Sequence, residues 1–312
     1  MAPERGTNSR YYHYLLHSYD IQKVFYNMGN GVRQGLNYSE FSKLRVLAPK
    51  SVEQQQIADY LDHKTAEIDG LIDKINAEID TLQQYQRSVI TRAVTKGLDP
   101  NVPMKDSGIE WIGEIPETWA VVKIKYYLSR NDIKNHPDEE VLSVYRDYGV
   151  VPKNSRTDNH NVTSTDTTNY KYVTEGNLVI NKMKAWQGSL AVSNYTGIVS
   201  PAYYVYQFKN SKLNKRYFHY LIRNCYKSEF KRLSTGIRDG QWDLQAYDFE
   251  NTSITLPPKS EQQQIVDYLD QKVTQIQKLI NSKQQQINQL TEYKNSLIFE
   301  YVTGKKQVKE AN

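Results

Sequence analysis

Leu61, Ile68, Ile75, Leu82 and Val89 recur at every seventh position through an otherwise polar stretch. That spacing lines apolar side chains along one stripe of a helix, and such a stripe needs a second helix to cover it. Ile72 and Ile79 support the same seam. Near the C-terminus Leu269, Ile276, Leu290 and Leu297 repeat the pattern, with Lys283 interrupting it. The pattern predicts two helices of about 40 residues, roughly 60 Å long each. Ser51 and Ser260 stand as N-caps in this reading, and the glycines of VTKG and VTGK stand as stops. Gly70 marks a possible bend. The simplest arrangement packs the two stripes antiparallel within one chain, and the bland alternative is a coiled-coil spacer or homodimer seam.

Between these helices the periodicity changes. An alternating run follows DSGIEWIGEIPETW, and VLSVYRDYGVV, KYVTEGNLVINKMKAWQGSLAVS and GIVSPAYYVYQF read as strands punctuated by glycine and proline. NKRYFHYLIRNCYKSEFKRL returns to a helical period, with Phe218, Leu221, Ile222 and Cys225 on one face.

The chain also repeats itself. EQQQIADYLD begins at Glu53 and EQQQIVDYLD at Glu261. Upstream, RYYHYLL at Arg10 matches RYFHYLI at Arg216, and GVRQG at Gly31 matches GIRDG at Gly236. The duplicated unit runs from about residue 10 to 97 and again from about 216 to 305, a period far too long for a solenoid.

Composition adds a little. The 312 residues are 38% hydrophobic and 12% aromatic, with a formal net charge of +5 and a mean hydropathy of −0.72. This balance permits an acidic partner such as nucleic acid but does not demand one. No apolar run is long enough to span a bilayer. A single cysteine, Cys225, excludes an internal disulfide framework and suits the cytoplasm. His13 and His17 have the i,i+4 spacing of a metal pair, yet His17 aligns with Arg223 and no third ligand accompanies it. A glycine-rich phosphate loop is absent, as is the Asn-Pro-Pro-aromatic signature with which amino-methyltransferases hold a flipped base. Any DNA modification therefore belongs to another subunit.

The doubled P-x-x-EQ-x-x-I-x-x-L-D signature, with SVITRAVTKGLDP, DSGIEWIGEIPETW and NKMKAWQGSLAVSNYTGIVSPAY, resembles the specificity subunits of type I restriction-modification systems across essentially the whole chain. The resemblance implies an α+β chain in which globular target-recognition domains alternate with two long helices packed as an antiparallel coiled coil. It divides the sequence into residues 1–50, the end of a first recognition domain; 51–98, the first long helix; 99–256, a complete recognition domain; and 257–312, the second helix. It implies a non-catalytic chain that binds double-stranded DNA and seats two modification (adenine methyltransferase) subunits and the restriction/translocase subunits. S-adenosylmethionine, ATP and Mg would sit on those partners, and this chain would carry no cofactor or metal. No counterpart of residues 110–215 precedes Arg10, where only nine residues stand. The expectation is a chain shortened at its N-terminus, completed by a second specificity chain or a complementary fragment.

The expected DNA contacts fall on two stretches of the complete domain. Asn181, Lys182, Lys184, Trp186 and Gln187 combine basic, amide and aromatic side chains too polar for a buried strand. Arg238, Asp239 and Gln241 lie between Gly236 and Gly240 in an expected loop. Arginine reads guanine, and asparagine or glutamine reads adenine. The alternative is that Met183 and Trp186 are core and the lysines merely solvated. The rival functions are a coiled-coil assembly module that binds only protein, and an inactive or silent specificity-gene fragment.

Overall fold

A computed structural model describes residues 6–27, 38–146, 148–156, 163–236 and 242–308. Its helices are α1 (Ser9–Ile21), α2 (Tyr38–Phe41), α3 (Ser51–Lys96), α4 (Lys215–Cys225), α5 (Lys227–Leu233), α6 (Ala246–Asn251) and α7 (Lys259–Val302). The strands fall between α3 and α7. They are β1 (Met104–Asp106), β2 (Glu114–Pro116), β3 (Ala120–Lys123), β4 (Leu128–Arg130), β5 (Leu142–Tyr145), β6 (Gly149–Pro152) and β7 (Lys171–Val173). They continue with β8 (Leu178–Asn181), β9 (Leu190–Val192), β10 (Gly197–Val199), β11 (Tyr203–Phe208), β12 (Ser234–Thr235), β13 (Asp243–Leu244) and β14 (Ser253–Leu256).

The chain forms two compact units, Met1–Gln83 with Ile276–Asn312, and Gln84–Gln275. In the first, Tyr11 and Leu15 of α1 are buried against Ile57, Ala58, Leu61 and Ile68 of α3 and against Leu297, Ile298 and Val302 of α7. The long helices run antiparallel there, since Asp69 pairs with Lys294 at 2.6 Å and Glu78, further along α3, pairs with Lys283, further back along α7.

The second unit is built on the antiparallel sheet β4-β11-β8-β9. Alternation sends its side chains into two cores. Leu178, Ile180, Leu190, Tyr204 and Tyr206 join Phe218, Leu221, Tyr226, Phe230 and Phe249, together with Ile90 and Val94 from the end of α3 and Ile265 and Leu269 from the start of α7. Val179, Ala191 and Val205 face the other way, onto Leu142, Val144, Val150, Val173 and Val199. A sheet buried on both faces explains why β8 reads as a continuous apolar run.

Several local expectations need correction. The first helical bonds run from Gln54 N–H to Lys50 O and from Gln262 N–H to Pro258 O, so Ser51 and Ser260 lie inside the first turn and cap nothing. The stretch 215–233 is two helices joined at Tyr226, whose ψ of 3° leaves the helical range. The alternating run after Trp119 is broken by a 3-10 turn at Ile124–Tyr126. Helix α3 continues through Gly70. The glycines of VTKG and VTGK do stand at the helix ends as expected, Gly97 and Gly304 following α3 and α7 at positive φ.

Candidate nucleic-acid interface

The first candidate stretch is the connection between β8 and β9. Asn181 closes the buried run of β8, and its N–H donates to Ser189 O at 3.0 Å. Lys184, Gln187 and Ser189 then close a tight 3-10 turn over Ala185–Gln187. Gly188 completes it at φ 94°, a conformation costly for any residue with a Cβ. Ala185 is buried, and α5 packs on this turn. Met183 and Lys184 are exposed, whereas Asn181, Lys182, Trp186 and Gln187 are half-buried. Met183 and Trp186 therefore belong to the rim of the domain and not to its core.

Arg238, Asp239 and Gln241 lie outside the described residues, but both flanks of their segment are placed. The segment links β12 to β13, which pair through Ser234 with Leu244 and Thr235 with Asp243. This hairpin is tied to the first stretch at three points. Lys182 Nζ lies 2.9 Å from Asp243 Oδ2. Leu244 N–H donates to Lys182 O at 3.0 Å. The rings of Trp186 and Trp242 meet at 5.0 Å and 55°. Trp186 Nε1–H is itself held by Met183 O at 3.1 Å, and the Lys231 ammonium rests 6.0 Å from the Trp242 ring centre. Two stretches separated by some fifty residues of sequence thus share one rim of the domain. Trp242 was visible beside GIRDG; Lys231, on a helix, had no sequence signal.

Several other cations of this unit are spent internally. Arg130 and Lys171 both pair with Asp132, at 2.9 and 3.0 Å, and both lie over the Tyr204 ring. Burial alone would raise the Asp132 carboxyl, but the Lys171 and Arg130 charges and hydrogen bonds hold it below its ordinary value. Arg216 pairs with Asp270. Lys184, in contrast, has no ion-pair partner among the described residues. The Cys225 thiol is pushed up to about 11 by burial and is poorly suited to nucleophilic chemistry.

The coiled-coil positions divide by depth. Leu61, Ile68, Leu269, Ile276 and Leu297 are buried, and Ile75, Leu82, Val89 and Leu290 are half-buried. His13 and His17 are exposed with parallel rings, and among the described residues no three potential ligands converge as a metal site. No helix of the described residues is long and apolar enough to cross a membrane.

One packing unit thus recurs in the chain, and the strand-rich unit carries a basic and aromatic rim. The family profile described as "Type I restriction modification DNA specificity domain" matches residues 2–81 and 116–289. The chain belongs to the type I restriction-modification specificity family, whose members are non-catalytic recognition subunits. It is 26% identical over 323 aligned residues to the type I restriction enzyme MjaVIII specificity subunit of Methanocaldococcus jannaschii, an alignment covering 96% of this chain and 71% of that protein. The fold is similar to the HsdS subunit from Thermoanaerobacter tengcongensis, with a TM-score of 0.50, 14% identity, and coverage of 98% of this chain and 72% of that one. It is also similar to a chain from a structure of complex assembly and conformational transition in the type I R-M system, with a TM-score of 0.61, 14% identity, and coverage of 96% and 72%.

Proposed function

We propose that this chain binds a specific DNA duplex and directs adenine-methylating modification subunits, and with them the restriction/translocase subunits, to it. S-adenosylmethionine, ATP and Mg belong to those partners. Residues 99–256 act as the recognition domain, residues 51–98 and 257–312 as the helical scaffold, and residues 1–50 as the end of another recognition domain. The observation that carries the DNA reading is the joining of the 181–187 turn to the β12–β13 hairpin, which gathers Lys184, Gln187, Trp186, Trp242 and Lys231 on one rim. Exposed ammonium groups suit phosphate contact, and side-chain amides suit base edges.

The scaffold reading is supported by apolar side chains that the chain leaves uncovered. Leu71 and Tyr85 on α3, and their repeat equivalents Leu279 and Tyr293 on α7, are all exposed. A sequence repeated on two helices offers like surfaces to two copies of one partner.

Methylation mapping in cells carrying this gene and its modification partner tests the whole reading. The expected result is one recurrent methylated motif that disappears when the gene is deleted. Unchanged methylation, combined with salt-insensitive or absent duplex binding by the assembled complex, would favour a purely protein-binding coiled-coil module.

A further inference from the structure

We propose that Lys182 is a positioning residue: its ion pair with Asp243 sets the β8–β9 turn against the β12–β13 strand pair, and phosphate contact falls instead to Lys184. This rests on the DNA reading above and goes beyond it by giving two adjacent lysines different tasks.

The geometry separates them. Lys182 is bound at both ends, its ammonium to Asp243 at 2.9 Å and its carbonyl to Leu244 N–H at 3.0 Å. The two side chains are only 32% and 28% exposed, so this pair is less screened than an open surface bridge. Both of its residues adjoin the aromatic contact, with Asp243 next to Trp242 and Lys182 four residues before Trp186. Loss of the pair therefore releases the joint between the β8–β9 turn and the β12–β13 strand pair. Lys184 faces solvent on the same turn, and its ammonium has no ion-pair partner among the described residues. An ammonium committed to a carboxylate displaces few counterions from the DNA phosphates, whereas a free one displaces its full share.

The experiment compares Lys182→Met, Asp243→Asn, the double variant and Lys184→Met in the chain assembled with its modification subunits. Binding to cognate and scrambled duplexes is measured at several salt concentrations. Lys184→Met should weaken both duplexes alike and make the log–log salt slope shallower by about 0.9. Lys182→Met should cut the cognate-to-scrambled ratio about tenfold with the slope unchanged, and adding Asp243→Asn should cost nothing further. The exchanged pair, Lys182→Asp with Asp243→Lys, should restore the ratio. A DNA-free reading comes from amide hydrogen exchange at Leu244, which should quicken in both single variants. If Lys182→Met instead makes the slope shallower and keeps the ratio, or if Leu244 exchange is unchanged in both single variants, the positioning role is wrong. Quickened exchange in a complex that binds no duplex would overturn the DNA reading while leaving the joint in place.

Discussion

Tyr11 and Tyr217 do the same thing at opposite ends of the duplication: each ties the end of one long helix to a short helix packed on the start of the other. Tyr11 Oη donates to Val302 O at 3.0 Å, while Tyr217 Oη lies 3.2 Å from the carbonyl oxygens of Val94 and Thr255. Val94 and Val302 fall in the last turns of α3 and α7, where carbonyls have no partner within the helix. Neighbouring bonds repeat too. Tyr14 donates to Asp62 at 2.8 Å and Tyr220 to Asp270 at 2.7 Å, and Asn8 and Asn214 cap the two short helices. The duplicated RY[YF]HYL[LI] segment is thus a clamp, kept twice because each long helix has an end to secure.

Removing the clamp's hydroxyl without its ring isolates the hydrogen bond. Tyr217→Phe should destabilise the chain by about 1–3 kcal/mol, because the single O–H shared by two buried carbonyls is lost. Tyr11→Phe should cost less, since its second acceptor, Leu47 O, is 3.3 Å away and partly exposed. Urea unfolding midpoints check both, and equal, negligible losses would show that water replaces the hydroxyl.

The repeated glutamine of the EQ signature makes the second prediction. Gln262 is 1% exposed; its Oε1 accepts Asn214 N–H, and its Nε2 donates to Pro257 O and Lys212 O. Gln54 makes two of these three bonds, to Asn8 N–H and Pro49 O. Gln262→Leu should therefore cost more than Gln54→Leu, each lost buried partner being worth about 1–3 kcal/mol. A larger loss for Gln54→Leu would contradict this.

How far the sequence could lead is clear from these residues. Heptad spacing exposed the long helices because apolar burial there repeats with a fixed period, and the repeat exposed the duplication. It could not show why Gln54 and Gln262 recur, because their partners are backbone groups, which leave no mark on residue type. The candidate DNA stretches were found from polar density inside a strand-rich region. That Lys182 meets Asp243, and Trp186 meets Trp242, depends on hairpin register across dozens of residues, which local pattern does not encode.

Acid sensitivity should bear the mark of one histidine. Burial, reinforced by Arg223 and Arg216, pushes His219 from its ordinary 6.5 down to about 3, and its Nδ1 accepts Val192 N–H at 3.2 Å. Below pH 6.5 the unfolded chain takes up a proton that the folded chain refuses. The stability this neutral ring supplies is therefore complete above 6.5 and falls steadily as pH drops toward 3. His219→Asn, which keeps an acceptor for Val192, should flatten unfolding midpoints between pH 6.5 and 4.5. An unchanged pH profile would place His219 in contact with solvent protons.

Lys283 occupies the missing position of the α7 stripe, where its ammonium reaches Glu78. A polar residue in a coiled-coil seam fixes register at some cost in stability. Its partner is 57% exposed, so the pair itself contributes less than about 1 kcal/mol. Lys283→Leu should raise the unfolding midpoint, while Lys283→Glu, facing Glu78, should lower it. Light scattering of the leucine variant should also detect self-association if register is relaxed. A leucine variant less stable than the parent would show that position 283 lies outside the seam.

The exposed apolar residues give the last prediction, which separates scaffold from fold. The repeat-mates Leu71 and Leu279 are about half exposed, at 48% and 53%, and the repeat-mates Tyr85 and Tyr293 are at 53% and 57%. None of the four belongs to the buried stripes, so replacing them removes little packing and should change the unfolding free energy by less than about 0.5 kcal/mol. The same residues would lie at the centre of an interface with a modification subunit, where tyrosine and leucine contacts dominate association and a buried charge is heavily penalised. Leu71→Asp or Leu279→Asp alone should then reduce the stoichiometry from two bound modification subunits to one, and the pair should abolish binding. Native mass spectrometry of the co-expressed complex distinguishes these states. If the doubly substituted chain keeps its midpoint and still carries two modification subunits, the partners seat on another face of the helices.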